Sequence, residues 1–252
     1  MAVGVVLLAA GYGTRLHPLT KDCPKALLPL GGGVVMDPML EAVAGVPGVS
    51  KTILVSNHRF IEQFQAWQGK VSVTLELVDD GSVIPEQRLG AIRDLLLALS
   101  RIDPRDDVLV LGTDNLFTWS LDEFVAAAKA KRPSPTIAVY EVATFEEASQ
   151  CGVVEMDRQA RVLRCVEKPR QPASKTVGLC VYYFPAPMRG RINEFITTGG
   201  NGDAPGYFVE WLVQREPVYG FVAGGEWYDI GTTAAYHEAV RRWANRPSLR
   251  SL

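Results

Sequence analysis

Val3-Gly4-Val5-Val6-Leu7-Leu8-Ala9-Ala10-Gly11-Tyr12-Gly13-Thr14-Arg15-Leu16 is the stretch whose reading decides the fold. An unbroken apolar run that ends in small residues and glycines reads as a strand buried on both faces, feeding a tight loop. Lys51–Ser56 and Val71–Val78 repeat the strand signal, the second through the alternation of Val73, Leu75 and Leu77. Leu89, Ile92, Leu96 and Leu99 share a helical face and lead into a β run at Asp107–Leu111. Leu121, Phe124, Val125 and Ala128 form the next helical stripe, before a strand over Thr136–Val142. Strands alternating with helices through short connections predict a doubly wound α/β sheet with helices on both sides. After about Glu147 the rhythm changes. Gly152–Met156, Val162–Glu167 and Val177–Phe184 read as consecutive strands, so a mixed extension is expected. Pro187–Ile196 and Gly206–Val213 read as short helices, and Tyr236, Val240 and Trp243 give a closing helix its buried face.

Composition narrows the function. Of 252 residues, 47% are hydrophobic and 21% charged, which suits a globular chain with a sizeable core and excludes disorder. Lys and Arg total 26 against 28 Asp and Glu, a net charge of −2. No global positive field exists for nucleic acid or an anionic membrane, so any anion affinity must be local. No uncharged apolar run approaches the roughly 18 residues of a membrane span, and the start lacks the basic region of a signal peptide. The four cysteines (Cys23, Cys151, Cys165, Cys180) form no CxxC pair, so reduced thiols and a cytoplasmic location are expected. Without repeats or linkers, the chain reads as one domain over residues 1–244 with a tail over 245–252.

Small residues after a buried strand let backbone N–H groups approach an anion closely. The loop is not a dinucleotide fingerprint, because Leu16 occupies the third glycine position and no acidic residue ends the second strand. No GxxxxGK[ST] occurs either. A bare Gly-x-Gly is ordinarily only a turn. The permanent cations Arg15 and Lys25 make an anion site of this one, Arg15 as a fork and Lys25 as a point charge. Val108-Leu109-Val110-Leu111-Gly112-Thr113-Asp114-Asn115 reads as an apolar strand ending in a carboxylate, and carboxyl ends of strands border the ligand crevice of open α/β sheets. Asp229 precedes the last helix in Glu226-Trp227-Tyr228-Asp229-Ile230-Gly231-Thr232. Magnesium takes one or two carboxylates plus waters and phosphates, so two suffice. A turn or a helix cap is the structural alternative for each.

Leu8–Leu16, with Pro18-Leu19-Thr20 and Pro24-Lys25-Ala26-Leu27-Leu28-Pro29, resembles the signature of the sugar-1-phosphate nucleotidylyltransferases, or nucleoside-diphosphate-sugar pyrophosphorylases. Further matches run from about Val3 to Val240. The resemblance implies a Rossmann-like α/β/α fold and a Mg²⁺-dependent reaction of a nucleoside triphosphate with a sugar 1-phosphate, giving nucleotide-sugar and pyrophosphate. It implies that Leu8, Ala10, Gly11, Gly13, Thr14 and Gly90 hold the nucleotide. Arg15 then serves the charge at the α-phosphorus, and Lys25 meets the nucleotide phosphates and the departing pyrophosphate. Gly152, Glu167 and Lys168 take the sugar phosphate, and Asp114 and Asp229 the metal. No nucleic acid or membrane is expected as partner, and a homo-oligomer stays open.

There are departures from that pattern. The usual Gly-Asp reads Gly112-Thr113-Asp114, and Gly31-Gly32-Gly33 stands where many relatives carry Lys-Pro. Gln87 and Arg88 are offered for base edges, whereas Tyr207 and Trp211 read as core. A phosphomonoester with a second pKa of about 6 is already ionised and needs no general base, so the scattered His17, His58 and His237 carry no role. The base and the sugar stay open. The alternatives are a cytidylyltransferase for choline or inositol phosphate and a non-catalytic nucleotide-sensing subunit.

Overall fold

The computed structural model describes residues 1–71 and 73–243. The chain opens on β1 (Val3–Leu8) and, beyond the glycine loop, makes a small ladder of β2 (Pro29–Leu30) with β3 (Gly33–Val34). Then come α1 (Asp37–Ala44), β4 (Val49–Ser56), α2 (Ile61–Gln68), β5 (Glu76–Asp79), α3 (Ala91–Leu99) and β6 (Asp107–Gly112). Next are β7 (Asn115–Phe117), α4 (Leu121–Ala130), β8 (Thr136–Glu141) and the single turn α5 (Phe145–Ala148). They precede β9 (Gly152–Met156), β10 (Val162–Glu167) and β11 (Thr176–Phe184). The chain continues through α6 (Arg189–Thr197), α7 (Pro205–Val213), β12 (Tyr219–Val222), β13 (Trp227–Asp229) and α8 (Thr233–Trp243).

Nine strands form one mixed sheet in the order β10-β9-β11-β6-β1-β4-β5, with β8 paired to β11 and β12 to β8. β1 runs parallel to β4 and β6. The sense reverses at β11, antiparallel to β6, β8 and β9. The pleat of β1 explains its unbroken apolar sequence. Val3, Val5 and Leu7 pack with α1, α2 and α4, while Val6 faces α3, α6 and α7. Each such fully buried Val or Leu contributes roughly 1.5–3 kcal/mol by leaving water. A third cluster (Leu16, Leu28, Leu30, Val35, Leu116, Ile230, Tyr236, Trp243) lies beneath the glycine loop and seats it on α8. The Tyr236 hydroxyl donates to the Pro29 carbonyl at 2.7 Å. This cluster is what holds Arg15 and Lys25 in place. Among the described residues, no helix is long and apolar enough to cross a membrane.

Two local expectations need correction. The strand expected over Val71–Val78 is ordered only as β5, Glu76–Asp79, on the sheet edge. The Gln68 side-chain amide donates to the Leu75 carbonyl, taking an acceptor that a longer ladder would use; Ser72 lies outside the described residues. In α3 the buried face is Ile92, Asp94, Leu95, Ala98 and Leu99, with Leu96 half-buried and Leu89 before the helix. The helix cannot start earlier because Gly90 has a φ of 89°. The tail over 245–252 falls outside the described residues.

Candidate active site

The carboxyl ends of β1 and β6 lie level, with Leu8 opposite Gly112. Thr113 ties them together: its N–H and its hydroxyl both donate to the Leu8 carbonyl, at 3.3 and 2.9 Å. The residue that interrupts the usual Gly-Asp thus fastens the strand ends, and Asp114 follows immediately. β7 pairs antiparallel with β13 so that Asn115 faces Asp229, and the Ile230 N–H donates to the Asp114 carbonyl at 2.9 Å. Two aspartates far apart in sequence are thereby set side by side. Asn115, buried between them, donates to Asp114 Oδ1 at 2.9 Å and to the Gly112 carbonyl at 3.2 Å. Its own oxygen accepts from Trp227 Nε1 at 2.8 Å.

Cations from the glycine loop meet this pair. Lys25 begins a 3-10 turn, and its Nζ lies 2.6 Å from Asp114 Oδ2. Arg15 sits in the 3-10 turn Thr14–Leu16; a Cβ on Gly231 would lie 2.7 Å from Asp229 Oδ2 and 3.6 Å from the Arg15 guanidinium. Burial pushes the Asp114 carboxyl up, but the Lys25 ammonium, its hydrogen bond and Arg15 outweigh this and hold it below the usual carboxylate range. Asp229 goes the other way. Burial and the Asp114 charge raise it to about 6, against the pull of Lys25, Arg15 and Lys168. Among the described residues no three His, Cys, Asp or Glu side chains cluster as a protein-only metal cage. A half-buried carboxylate pair, one member held low by its cations and the other raised to about 6 by burial and its neighbour, still fits Mg²⁺, which completes its shell with water and phosphate oxygen.

A cleft opens on either side. The smaller, about 260 Å³, is lined by Leu8, Ala10, Gly11, Gly90, Asp94 and Asp114, with Arg88 and Asp203 also on its wall. Gly13 and Thr14, expected at the nucleotide, do not line this cleft; Gly13 takes a φ of 62° and its carbonyl accepts from the Thr20 hydroxyl at 2.7 Å. Gly90 is required twice over, by its positive φ and because a Cβ there would stand 2.7 Å from the Gly202 carbonyl oxygen. Asp94 is 6% exposed, and burial, then the charge of Asp80, pushes its carboxyl up to about 7.

The larger cleft, about 590 Å³, is lined by Arg15, Glu147, Cys151, Trp227, Asp229 and Gly231 among others. The three residues expected on the sugar-phosphate side do not line it; Gly152 directly follows Cys151, which does. Gly152 pairs with Glu167 across the β9–β10 ladder, and the Lys168 N–H donates to the Cys151 carbonyl at 3.0 Å. Lys168 holds a φ of 47°, a left-handed conformation that costs a non-glycine residue of order 1–3 kcal/mol, and its exposed ammonium lies 3.6 Å from Glu167 Oε1. Burial raises the Glu167 carboxyl, which packs so tightly on Gly206 that a Cβ there would overlap Glu167 Oε2.

Other candidates fall outside this constellation. Gln87 accepts from the Val83 N–H within its own loop, and Arg88 makes a bidentate pair with Asp203 at 3.1 and 2.8 Å. Tyr207 and Trp211 pack against the core, Trp211 against Phe195 and Phe208. His58 pairs with Asp79 at 2.6 Å on the surface. Sequence reading missed Asn115, Asp94 and Asp203. The signal for Asp94 was a lone carboxylate between Ile92 and Leu95 on an otherwise apolar helix; for Asn115, an amide directly after a strand-ending aspartate.

The profile of the family described as Nucleotidyl transferase matches residues 4–246. A Sulfolobus acidocaldarius protein, provisionally named a mannose-1-phosphate guanyltransferase, is 29% identical over 234 residues, 93% of this chain and 61% of its own. The bifunctional protein GlmU of Methanocaldococcus jannaschii is 26% identical over 228 residues, 90% of this chain and 50% of its own. The chain thus spans between 50% and 61% of the length of these relatives. In fold it is similar to a provisionally named glucose-1-phosphate thymidylyltransferase from Bacillus anthracis, crystallised with sucrose, at a TM-score of 0.85 and 17% identity over 98% of this chain and 97% of that one. A UDP-glucose pyrophosphorylase complexed with UDP-glucose gives a TM-score of 0.80 at 20% identity, over 98% of this chain and 100% of that one.

Proposed function

The chain belongs to the nucleotidyl transferase family, and from that premise we propose that it joins a nucleoside triphosphate to a sugar 1-phosphate. The products are a nucleotide-sugar and pyrophosphate. One observation carries this reading: Arg15, Lys25 and the Asp114–Asp229 pair converge at the carboxyl ends of β1 and β6 with a cleft on either side, and Lys168 lies close enough for its charge to act on Asp229.

In the reaction a phosphate oxygen of the sugar 1-phosphate attacks the α-phosphorus. A new P–O bond forms there, the α–β bridging P–O bond breaks, and pyrophosphate leaves with its electron pair. The attacking oxygen is already ionised near neutral pH, so the protein need not remove a proton. Its task is to bring two polyanions into line and to meet the charge that develops. Space at the Gly11 Cβ position is open to 4 Å, which lets a phosphate approach that backbone. Lys25 and Arg15 meet the triphosphate from one loop, and Lys168 offsets the charge of the incoming phosphate. Asp114 and Asp229 would hold Mg²⁺, which when bound supplies positive charge to the phosphate oxygens. The sugar 1-phosphates and sugar nucleotides in the names of relatives and fold neighbours support the substrate class.

The test is pyrophosphate release from Mg²⁺, a panel of nucleoside triphosphates and a panel of sugar 1-phosphates, with choline and inositol phosphate included. Release with at least one sugar 1-phosphate is expected. Tight triphosphate binding without release from any pair would refute transfer and leave a nucleotide sensor.

A further inference from the structure

The smaller cleft has Asp114 on one wall and a second carboxylate, Asp94, on another. The transfer reaction gives Asp94 nothing to do. Asp94 occupies the first turn of α3, where its N–H donates to the Gly90 carbonyl at 3.0 Å. It is 6% exposed, and its Oδ1 is fully buried with no hydrogen-bond partner among the described residues. The charge that bears on it is that of another carboxylate, Asp80, so its surroundings oppose ionisation without offering a cation.

Packing does not call for this residue. The neighbouring inward positions Ile92, Leu95, Ala98 and Leu99 are apolar, and a buried acceptor without a donor is expensive to keep. A side chain of this kind waits for donors brought by a ligand. Triphosphate held at the Gly11–Arg15 loop and Asp114 leaves the Asp94 part of the cleft for the base.

The nucleobases differ in what they offer an ionised carboxylate, which only accepts, and two donors brought by a ligand favour that form against the burial that opposes it. Guanine presents two adjacent donors, N1–H and the 2-amino group, matching the two carboxylate oxygens once the side chain turns its buried Oδ1 toward the cleft. Uracil and thymine present one N–H flanked by two carbonyl oxygens, which a carboxylate repels. Adenine and cytosine set an amino group beside a bare ring nitrogen, so one carboxylate oxygen would face a lone pair. We propose that Asp94 reads the Watson–Crick edge of guanine and makes GTP the preferred nucleotidyl donor. This rests on the reading of the cleft as a triphosphate site.

A site built to accept hydrogen bonds rejects ligands lacking the donors far more strongly than an apolar pocket does. The experiment measures, on the full chain with Mg²⁺, displacement of a fluorescent GTP analogue by GTP, ITP, ATP, CTP, UTP and dTTP. It also measures kcat/KM for pyrophosphate release with each triphosphate. The unmodified protein is expected to prefer GTP over UTP by about 100-fold or more, and over ITP, which lacks the 2-amino group, by about 10-fold. Asp94→Asn should erase most of the GTP-over-UTP preference, lowering kcat/KM for GTP while raising that for UTP, since the repulsion of the uracil carbonyls goes with the carboxylate. A protein that binds UTP or dTTP as tightly as GTP overturns the proposal, even if transfer is confirmed. So does an Asp94→Asn loss shared equally by every base, which would mean a ribose or structural role. The ITP comparison needs no variant, so it stands whatever the variant's folding. Triphosphate binding with the expected base preference but no pyrophosphate release would keep Asp94 as base reader and refute transfer alone.

Discussion

Asp94→Asn is expected to stabilise the ligand-free protein, by an amount that grows with pH. Burial, and after it the Asp80 charge, moves the Asp94 carboxyl from 3.8 to about 7, so keeping it ionised in the fold costs on the order of 4 kcal/mol. The sign follows from proton linkage. Below pH 3.8 both folded and unfolded chains carry the proton and no penalty exists. Between there and about pH 7 the unfolded chain releases a proton that the folded one retains. Stability therefore falls as pH rises, by up to about 1.4 kcal/mol per pH unit. Above about pH 7 the penalty is complete. Asparagine abolishes it but leaves a polar group in the same unpartnered place, at about 1–2 kcal/mol. The net gain at pH 8 is then ~2 kcal/mol, which for a chain of this size raises Tm by roughly 4–8 °C. Near pH 5 it should vanish or reverse. Thermal melts of both proteins at pH 5, 6.5 and 8 decide the matter. A difference in Tm that does not change with pH, or a variant less stable at pH 8, would refute the assignment of Asp94 as a buried, uncompensated acid.

Lys25→Ala and Asp114→Asn are each expected to leave the far-UV spectrum intact and to cut turnover about 100-fold or more, the usual result of losing a preorganised charge partner. Near-normal pyrophosphate release would remove that residue from the site. Chelating Mg²⁺ should stop release and re-addition should restore it; undiminished release in excess EDTA would show that Asp114 and Asp229 hold no required metal. Gly90→Ala places a Cβ 2.7 Å from the Gly202 carbonyl oxygen at a φ of 89°. It should cost roughly 1–3 kcal/mol in urea unfolding, and an unchanged midpoint would contradict the close approach.

Much of the fold was legible locally. The apolar run of β1 told of burial on both faces, and β9 and β10 carry the expected limits of Gly152–Met156 and Val162–Glu167. The alternation Val73-Leu75-Leu77 misled because the Leu75 carbonyl is claimed by Gln68 from the preceding helix, a competition that alternation does not register. The face of α3 was displaced because an apolar stripe drawn through Leu89 and Leu96 skips the aspartate that the tertiary packing turns inward. Thr113 looked like an intrusion and acts as a clamp on Leu8, which only the alignment of β1 with β6 reveals.

The identity of the candidate groups therefore came from the chain alone: the glycine loop, the two cations beside it and the strand-ending aspartate through residue type and spacing, and the lysine after β10 through the family resemblance of its stretch. Whether they meet could be decided only by long-range pairing. The β7–β13 ladder sets Asp229 beside Asp114, the cluster under the glycine loop holds Lys25 against that pair, and the packing of α3 buries Asp94 without a donor. Hydrogen-bond registers and helix orientations between distant segments are collective outcomes of filling one core, and no single stretch of sequence contains them.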